Sequence, residues 1–306
     1  MYKKNIVILG GGAKICKLFL KKTLSNKYKI SVFSKNNIKK NLRANNNFYL
    51  DLNNKTFLTE ITKANLIINF VGESVNEKKM FNANILFSKI LTENIKKFNK
   101  KCKVVHISSI AIYYDFIKVN KSQITISEKS SAAPFSKYPR TKYLGEKYFL
   151  NNFGNRMHVL RPAQILGDSK LNTSINKIIY YLKFNAFFYV GNKNFIWTYI
   201  PINDLLLCLN SILKSSYFPK VINLVENIPM FLLIDTIKKK YKIFTINIVI
   251  PFFLAKFFLK LNTIFFQGRF PFNKKVYLAL TANLFFDNSL LRKIIKKKIF
   301  LENEIL

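Results

Sequence analysis

The stretch Asn5-Ile6-Val7-Ile8-Leu9-Gly10-Gly11-Gly12-Ala13-Lys14-Ile15-Cys16 decides the fold of this 306-residue chain. Its short apolar run, rich in Ile and Val, suits a strand buried on both faces, as in a parallel sheet. Three glycines then let the chain turn, and Ala13–Leu24 reads as a helix with Ile15, Leu18 and Leu20 available to pack. Strand, glycine turn and helix in that order bring backbone N–H groups to a helix N-terminus, where a pyrophosphate binds. Counted from Gly10, a Gly-x-x-Gly-x-x-Gly spacing meets Ala13 and Cys16, small residues in place of glycines. The added volume of a thiol at Cys16 is expected to loosen the first helix against the strands and weaken that binding. The apolar run is too short for the core of a signal peptide.

Outward from this unit, strands are expected at Lys29–Phe33, Phe48–Leu50, Leu66–Phe70, Val104–Ser108 and His158–Pro162. Helical patterns lie between them, notably Lys78–Lys97 and a helix opened by Pro139. Alternation at this spacing means βαβ units with right-handed crossovers. The fold class is therefore α/β, a Rossmann-type doubly wound parallel sheet with a smaller, mainly helical C-terminal substrate domain. A dinucleotide-binding domain is expected over residues 1–165 and a substrate-binding region over 166–306, with about 199–225 returning to the sheet. At the end of the second strand, Val32-Phe33-Ser34-Lys35 lacks the carboxylate that would hold a ribose 2′-hydroxyl. Ser34 and Lys35 suit a 2′-phosphate, which leans towards NADP over NAD. Asp51 and Leu52, after the third strand, are placed to reach the adenine edge.

The chemistry sits further on. Val104-Val105-His106-Ile107-Ser108-Ser109 reads as a buried strand ending in hydroxyls, and Tyr138-Pro139-Arg140-Thr141-Lys142 opens a helix with proline in its first turn. Tyr138 and Lys142 are four apart and share a helical face. An ammonium beside a phenol favours the phenolate and lowers its pKa from about 10. A serine at the neighbouring strand end can then hold a substrate oxygen against the phenol. Together these groups suit proton transfer at a hydroxyl or carbonyl carbon.

Composition narrows the classes. With 49% hydrophobic and 22% charged residues the chain is globular. Its net charge of +36 comes from 51 Lys+Arg against 15 Asp+Glu, and the lysines spread along the whole chain with Asn, Ile and Phe. The charge is read as compositional, favourable for phosphates, with no nucleic acid expected as partner. Cys16, Cys102 and Cys208 lie far apart without metal spacing, so they read as buried thiols in a reducing, cytoplasmic setting. His106 and His158 fall inside strands and read as core residues, and no metal site is expected. Phe244 to Phe266 is nearly all apolar, but Pro251, Lys256, Lys260 and Asn262 interrupt it. A strand followed by a helix with basic positions is expected there, without a bilayer span; peripheral membrane contact is the lesser reading.

These residues resemble the extended short-chain dehydrogenases/reductases, which include sugar-nucleotide epimerases, dehydratases and 4-keto reductases. Ile68-Asn69-Phe70-Val71-Gly72 is similar to the fourth-strand segment lining the cofactor, and Phe81-Asn82-Ala83-Asn84-Ile85 to the helix asparagine motif, with Asn84 in the matching position. Leu160-Arg161-Pro162-Ala163-Gln164-Ile165-Leu166-Gly167, Trp197–Leu205 and Phe286–Arg292 resemble later segments of the family. The resemblance implies Ser109, Tyr138 and Lys142 as the catalytic set. It implies a cofactor wall from Gly10, Gly11, Gly12, Ala13, Lys14, Ile15, Ser34, Lys35, Asp51, Leu52, Phe70, Val71, Gly72, Asn84, Ser108, Tyr138, Lys142, Arg161 and Pro162. A nucleotide sugar is the implied partner, with Ser109 orienting its oxygen. Lys193 and Arg269, chosen by position, would meet its diphosphate. A homodimer through helices flanking the active-site strand is what the family suggests. Ile110 and Ala111 stand where the dehydratases carry an acidic pair, which argues against dehydration. A 4-epimerase or 4-keto reductase for surface-polysaccharide synthesis is therefore expected. A non-catalytic scaffold or RNA-binding protein on the same fold is the alternative.

Overall fold

The computed structural model describes residues 4–23, 27–35, 44–118, 123–132, 134–167, 173–215, 218–267, 272–281 and 283–296. Its first part runs β1 (Lys4–Leu9), α1 (Lys14–Thr23), β2 (Tyr28–Ser34), β3 (Asn46–Tyr49), α2 (Lys55–Lys63) and β4 (Leu66–Asn69). Then come α3 (Glu77–Met80), a π-helical turn (Phe81–Leu86), α4 (Phe87–Phe98), β5 (Lys103–Ile107), a 3-10 segment (Ile110–Lys118), β6 (Ile124–Ile126), α5 (Lys137–Phe153) and β7 (Met157–Pro162). The remainder holds β8 (Gln164–Leu166), α6 (Thr173–Lys183), β9 (Phe188–Val190), β10 (Ile196–Pro201), α7 (Ile202–Lys214), β11 (Val221–Leu224) and β12 (Glu226–Pro229). It closes with α8 (Met230–Tyr241), β13 (Ile248–Ile250), α9 (Phe252–Phe266), α10 (Lys274–Thr281), β14 (Leu284–Phe286) and α11 (Ser289–Ile295).

The main sheet has seven strands in the order β11-β7-β5-β4-β1-β2-β3, and each pair is parallel. The expected Rossmann-type α/β fold is what forms. The order reverses between β1 and β4, and ligands of open α/β sheets bind at such a switch point, beyond the carboxyl ends of the strands. The strands alternate their side chains between two cores, which is why their sequences are apolar throughout. Ile6 and Ile8 face one core with Cys16, Phe19 and Leu20 of α1 and Leu205 and Leu209 of α7. Val7 and Leu9 face the other with Phe57 and Ile61 of α2, Leu91 and Ile95 of α4 and Phe149 of α5.

From the second half of the chain, β11 pairs with β7 at the edge of the main sheet, whereas β10 lies in a separate one. The other strands of that half form a separate three-stranded sheet, β12-β10-β8, a small pair, β13-β9, and the pairing of β14 with β6. Helix α2 has no counterpart in the sequence reading. Its signal was present all the same: Asn54 accepts from the Thr56 N–H as an N-cap, and Phe57 and Ile61, four apart, are buried.

Candidate active site

The turn after β1 is as tight as its glycines suggest. Gly10 has φ +84°, and a Cβ there would lie 2.9 Å from the backbone nitrogen of Val71. Only glycine fits that conformation and that approach without strain. Gly10 and Gly11 N–H groups both donate to the Phe33 carbonyl, at 2.9 and 3.1 Å, which ties the turn to the end of β2. A Cβ on Gly12 would lie 3.4 Å from the Ser34 hydroxyl, so Ser34 sits against the turn while Lys35 is exposed beside it. Lys14 begins α1, exposed. Cys16 faces the sheet. Its thiol is fully buried in the core shared with Ile6 and Ile8, and burial pushes it up to about 12.

Helix α5 is set in place by three long-range contacts. The Asp115 carboxylate accepts from the backbone N–H groups of Phe135 and Ser136 and from the Ser136 hydroxyl, which ties the entry to the helix to a distant segment. A Cβ on Gly145 would lie 2.0 Å from the Asn84 carbonyl oxygen, so α5 packs directly on the backbone of the π turn. The Ser88 hydroxyl donates to the same Asn84 carbonyl at 2.8 Å. The Asn84 amide accepts from the Glu73 N–H at 2.9 Å and donates to the Glu73 carbonyl at 2.9 Å and to Thr141 Oγ1 at 3.0 Å. Asn84 thus joins the loop after β4 to the first turn of α5, and Thr141 continues the link to the Tyr138 carbonyl at 3.0 Å.

The result is a cleft of about 290 Å3 lined by Ile15, Phe70, Gly72, Ser108, Ser109, Tyr138, Lys142, Pro162 and Ile165, among others. Tyr138 and Ser109 are half-buried and hydrogen-bonded to each other. Ser109 Oγ also accepts from the Ala111 N–H at 3.1 Å. The Lys142 ammonium is buried and donates to the Ile107 carbonyl at 2.7 Å. The expected depression of the Tyr138 pKa is absent from the free protein. Burial pushes the phenol above its ordinary value, and the Ser109 hydrogen bond pulls it partly back.

Burial lowers Lys142 from 10.5 to about 8, with Glu146 acting in the opposite sense. Unfolding returns the ammonium to water, so between those two values the unfolded chain holds more protons than the folded one. The contribution of this residue to stability should therefore rise as pH rises from about 8 towards 10.5. Denaturant unfolding of wild type and Lys142→Met across that range checks it; parallel pH profiles would contradict it.

Several expected residues fall elsewhere. Arg161 turns away from the cleft: it is buried in an ion pair with Glu146, its Nε donating to Oε2 at 3.2 Å, and it also donates to the Tyr113 hydroxyl. Asp51 is exposed and its carboxylate accepts from the Asn53 N–H at 2.9 Å, while Leu52 is buried under it in the core. Lys193 is exposed in the loop before β10 and is not among the residues that line the cleft. Arg269 lies outside the described residues. The sequence reading passed over Glu73, whose carboxylate accepts from three successive N–H groups, Ser74, Val75 and Asn76, and is lowered by them. His106 and His158 are buried strand residues. Among the described residues no group of three or more His, Cys, Asp or Glu side chains could hold a metal ion.

The model of the NAD dependent epimerase/dehydratase family matches residues 6–222. The chain belongs to that family. It is thus an NAD-dependent type of enzyme, and the cleft fits a nicotinamide dinucleotide in that Ser108 Oγ is buried at its wall with no hydrogen-bond partner. A search of the curated proteins finds no match. Solved structures with the same fold include the Bordetella bronchiseptica enzyme WbmG in complex with NAD and UDP, at 14% identity and a TM-score of 0.72, covering 99% of this chain and 93% of that one. The UDP-glucuronic acid 4-epimerase of Bacillus cereus with NAD gives 16% identity and 0.69, covering 98% and 96%. The dTDP-4-dehydrorhamnose reductase of Bacillus anthracis with NADP gives 15% and 0.58, covering 82% and 85%.

Proposed function

We propose that this family member interconverts a secondary alcohol and a ketone at C4 of a nucleotide-activated sugar, by epimerisation or 4-keto reduction, in the cytoplasm and for surface-polysaccharide synthesis. The observation that carries the reading is the meeting of Tyr138, Ser109 and Lys142 in one cleft, which Ile15 of α1 also lines. When bound, the nicotinamide supplies a two-electron acceptor and donor for the carbinol carbon. Tyr138 takes the hydroxyl proton in the oxidising direction and returns it to the carbonyl oxygen in the reducing direction. Ser109, hydrogen-bonded to the phenol, holds the same oxygen. Lys142 puts a cation in the same wall, which favours the phenolate once the proton has left. Phe70, Ile107 and Ile165 line the cleft with apolar surface that keeps water from the exchange. The carbons after Ser109 support no water elimination, since Ile110 and Ala111 are buried and apolar.

Incubation with UDP- and dTDP-sugars and each reduced or oxidised cofactor, read by mass spectrometry, tests this. A 4-epimer at unchanged mass without net cofactor use establishes epimerisation; uptake of two hydrogens with loss of reduced cofactor establishes reduction. Loss of water from any substrate, or no turnover across both nucleotide series, would overturn the reading. The cofactor preference is testable separately. With Ser34 against the turn and Lys35 exposed beside it, NADP(H) should bind at least as tightly as NAD(H). Lys35→Asp should then move the affinity ratio about ten-fold towards NAD(H), the scale of one charge-assisted bond to a phosphate. Fluorescence titration of both proteins decides; a wild-type preference for NAD(H) would remove Lys35 from the site.

A further inference from the structure

Helix α9 presents an apolar surface that the rest of the described protein leaves open. It is docked by a narrow strip. Phe252 lies over Gly191, where an added Cβ would fall 2.1 Å from its ring, Ala255 is buried, and the Asn262 amide donates to the Phe272 carbonyl at 2.8 Å. At 100° per residue these positions mark one side of the helix. The opposite side carries Phe253 at 69% exposure, Phe257 at 55% and Ile264 at 60%, with Phe265 at 70% on its flank. Lys256 and Lys260, also exposed, fall together on one shoulder of that face. The neighbouring loop adds Phe244 and Ile246, 94% and 82% exposed, in a turn pinned by Lys238, whose Nζ donates to the Thr245 carbonyl at 2.8 Å.

We infer that this face is an interfacial anchor for an anionic lipid surface. A firmly docked helix with bulky aromatics outward and lysines along its edge is built to lie in the plane of a bilayer, rings among the acyl chains and ammonium groups at the phosphates. Charge complementarity selects the partner: between Asp235 and Asp287 the sequence holds no Asp or Glu, while Lys239, Lys242, Lys256 and Lys260 lie exposed within it. Such a stretch is attracted to anionic headgroups and meets no repulsion of its own. Dimension agrees too. The 15 residues of α9 extend about 22 Å, short of the roughly 30 Å hydrocarbon core. No helix among the described residues is long and apolar enough to cross a membrane. The helix therefore lies on the surface and does not span it.

Vesicle flotation with the full chain tests the anchor, using phosphatidylcholine alone and phosphatidylcholine mixed with phosphatidylglycerol. Wild type should float with the mixed vesicles and not with the neutral ones. Lys256→Gln with Lys260→Gln should weaken that binding about 30-fold, the product of two basic residues near an anionic surface. Phe253→Ser with Phe257→Ser should weaken it at least about ten-fold through lost apolar burial. All four positions are exposed, so thermal melts of both variants should match wild type and confirm that folding is intact. Absence of flotation, equal flotation with neutral vesicles, or flotation untouched by both variants would overturn the inference. Self-association lost in the phenylalanine variant, without flotation of wild type, would assign the face to a second copy of this chain instead.

Discussion

Tyr138→Phe should lower turnover about 10³-fold while leaving the fold and cofactor binding in place, the middle of the range for a positioned acid–base group. The substitution removes one oxygen and keeps the ring, and the ring is what α5 packs into the cleft wall. In the free protein this phenol is pushed up by burial, with the Ser109 hydroxyl pulling it back. Ser109→Ala should therefore displace the limb of the kcat/KM profile that Tyr138 sets, rising in the oxidising direction and falling in the reducing one, to higher pH, because a bond that favours the phenolate is gone. Near wild-type turnover in Tyr138→Phe, with a melting curve like that of wild type, would remove the tyrosine from the mechanism.

Glu146→Ala should destabilise the protein by about 3–5 kcal/mol, because it strands the Arg161 guanidinium in the interior. Both side chains are buried, 0% exposed for Glu146 and 7% for Arg161, so water cannot replace the lost partner. Denaturant titration measures the loss. Replacing both, as Glu146→Leu with Arg161→Met, should restore much of it, since the pair is costly to bury and its removal leaves no charge behind. A Glu146→Ala protein as stable as wild type would mean that Arg161 finds another partner. The single variant should also lower Lys142 further, because Glu146 is the group that holds that ammonium up.

The sheet was legible because its signals are local. An apolar run ended by glycine, as at Ile6–Gly10, specifies a buried strand and a turn without knowledge of the rest of the chain. The same holds for Val104–Ile107 and for Leu160 ahead of Pro162, and for the shared helical face of Tyr138 and Lys142. The strand-then-helix reading of Phe244 to Phe266 has the same origin, and β13 and α9 follow it. Element ends were less exact: the reading of Leu66–Phe70 ends at Asn69 in β4, and Phe48–Leu50 becomes Asn46–Tyr49. A strand terminates where its neighbour stops pairing, which is not written at the position itself.

Commitments of polar side chains were another matter. Arg161 sits in a motif that suggests the cofactor, yet its guanidinium pairs with Glu146, a residue fifteen positions away on a different element. Asn84 also matches a cofactor motif, and its amide is taken by Glu73 and Thr141. Asp115 gives no local sign that it anchors the entry to α5, and Gly145 none that it packs on the π turn. Residue order alone specified the alternation of strands and helices, the glycine turn and the helical register of Tyr138 and Lys142, because each depends on neighbours a few positions apart. Which polar groups are free to meet a ligand, and whether the phenol of Tyr138 is pushed up or down, were decided by packing, since hydrogen-bond partners and desolvation come from segments that only the folded chain brings together.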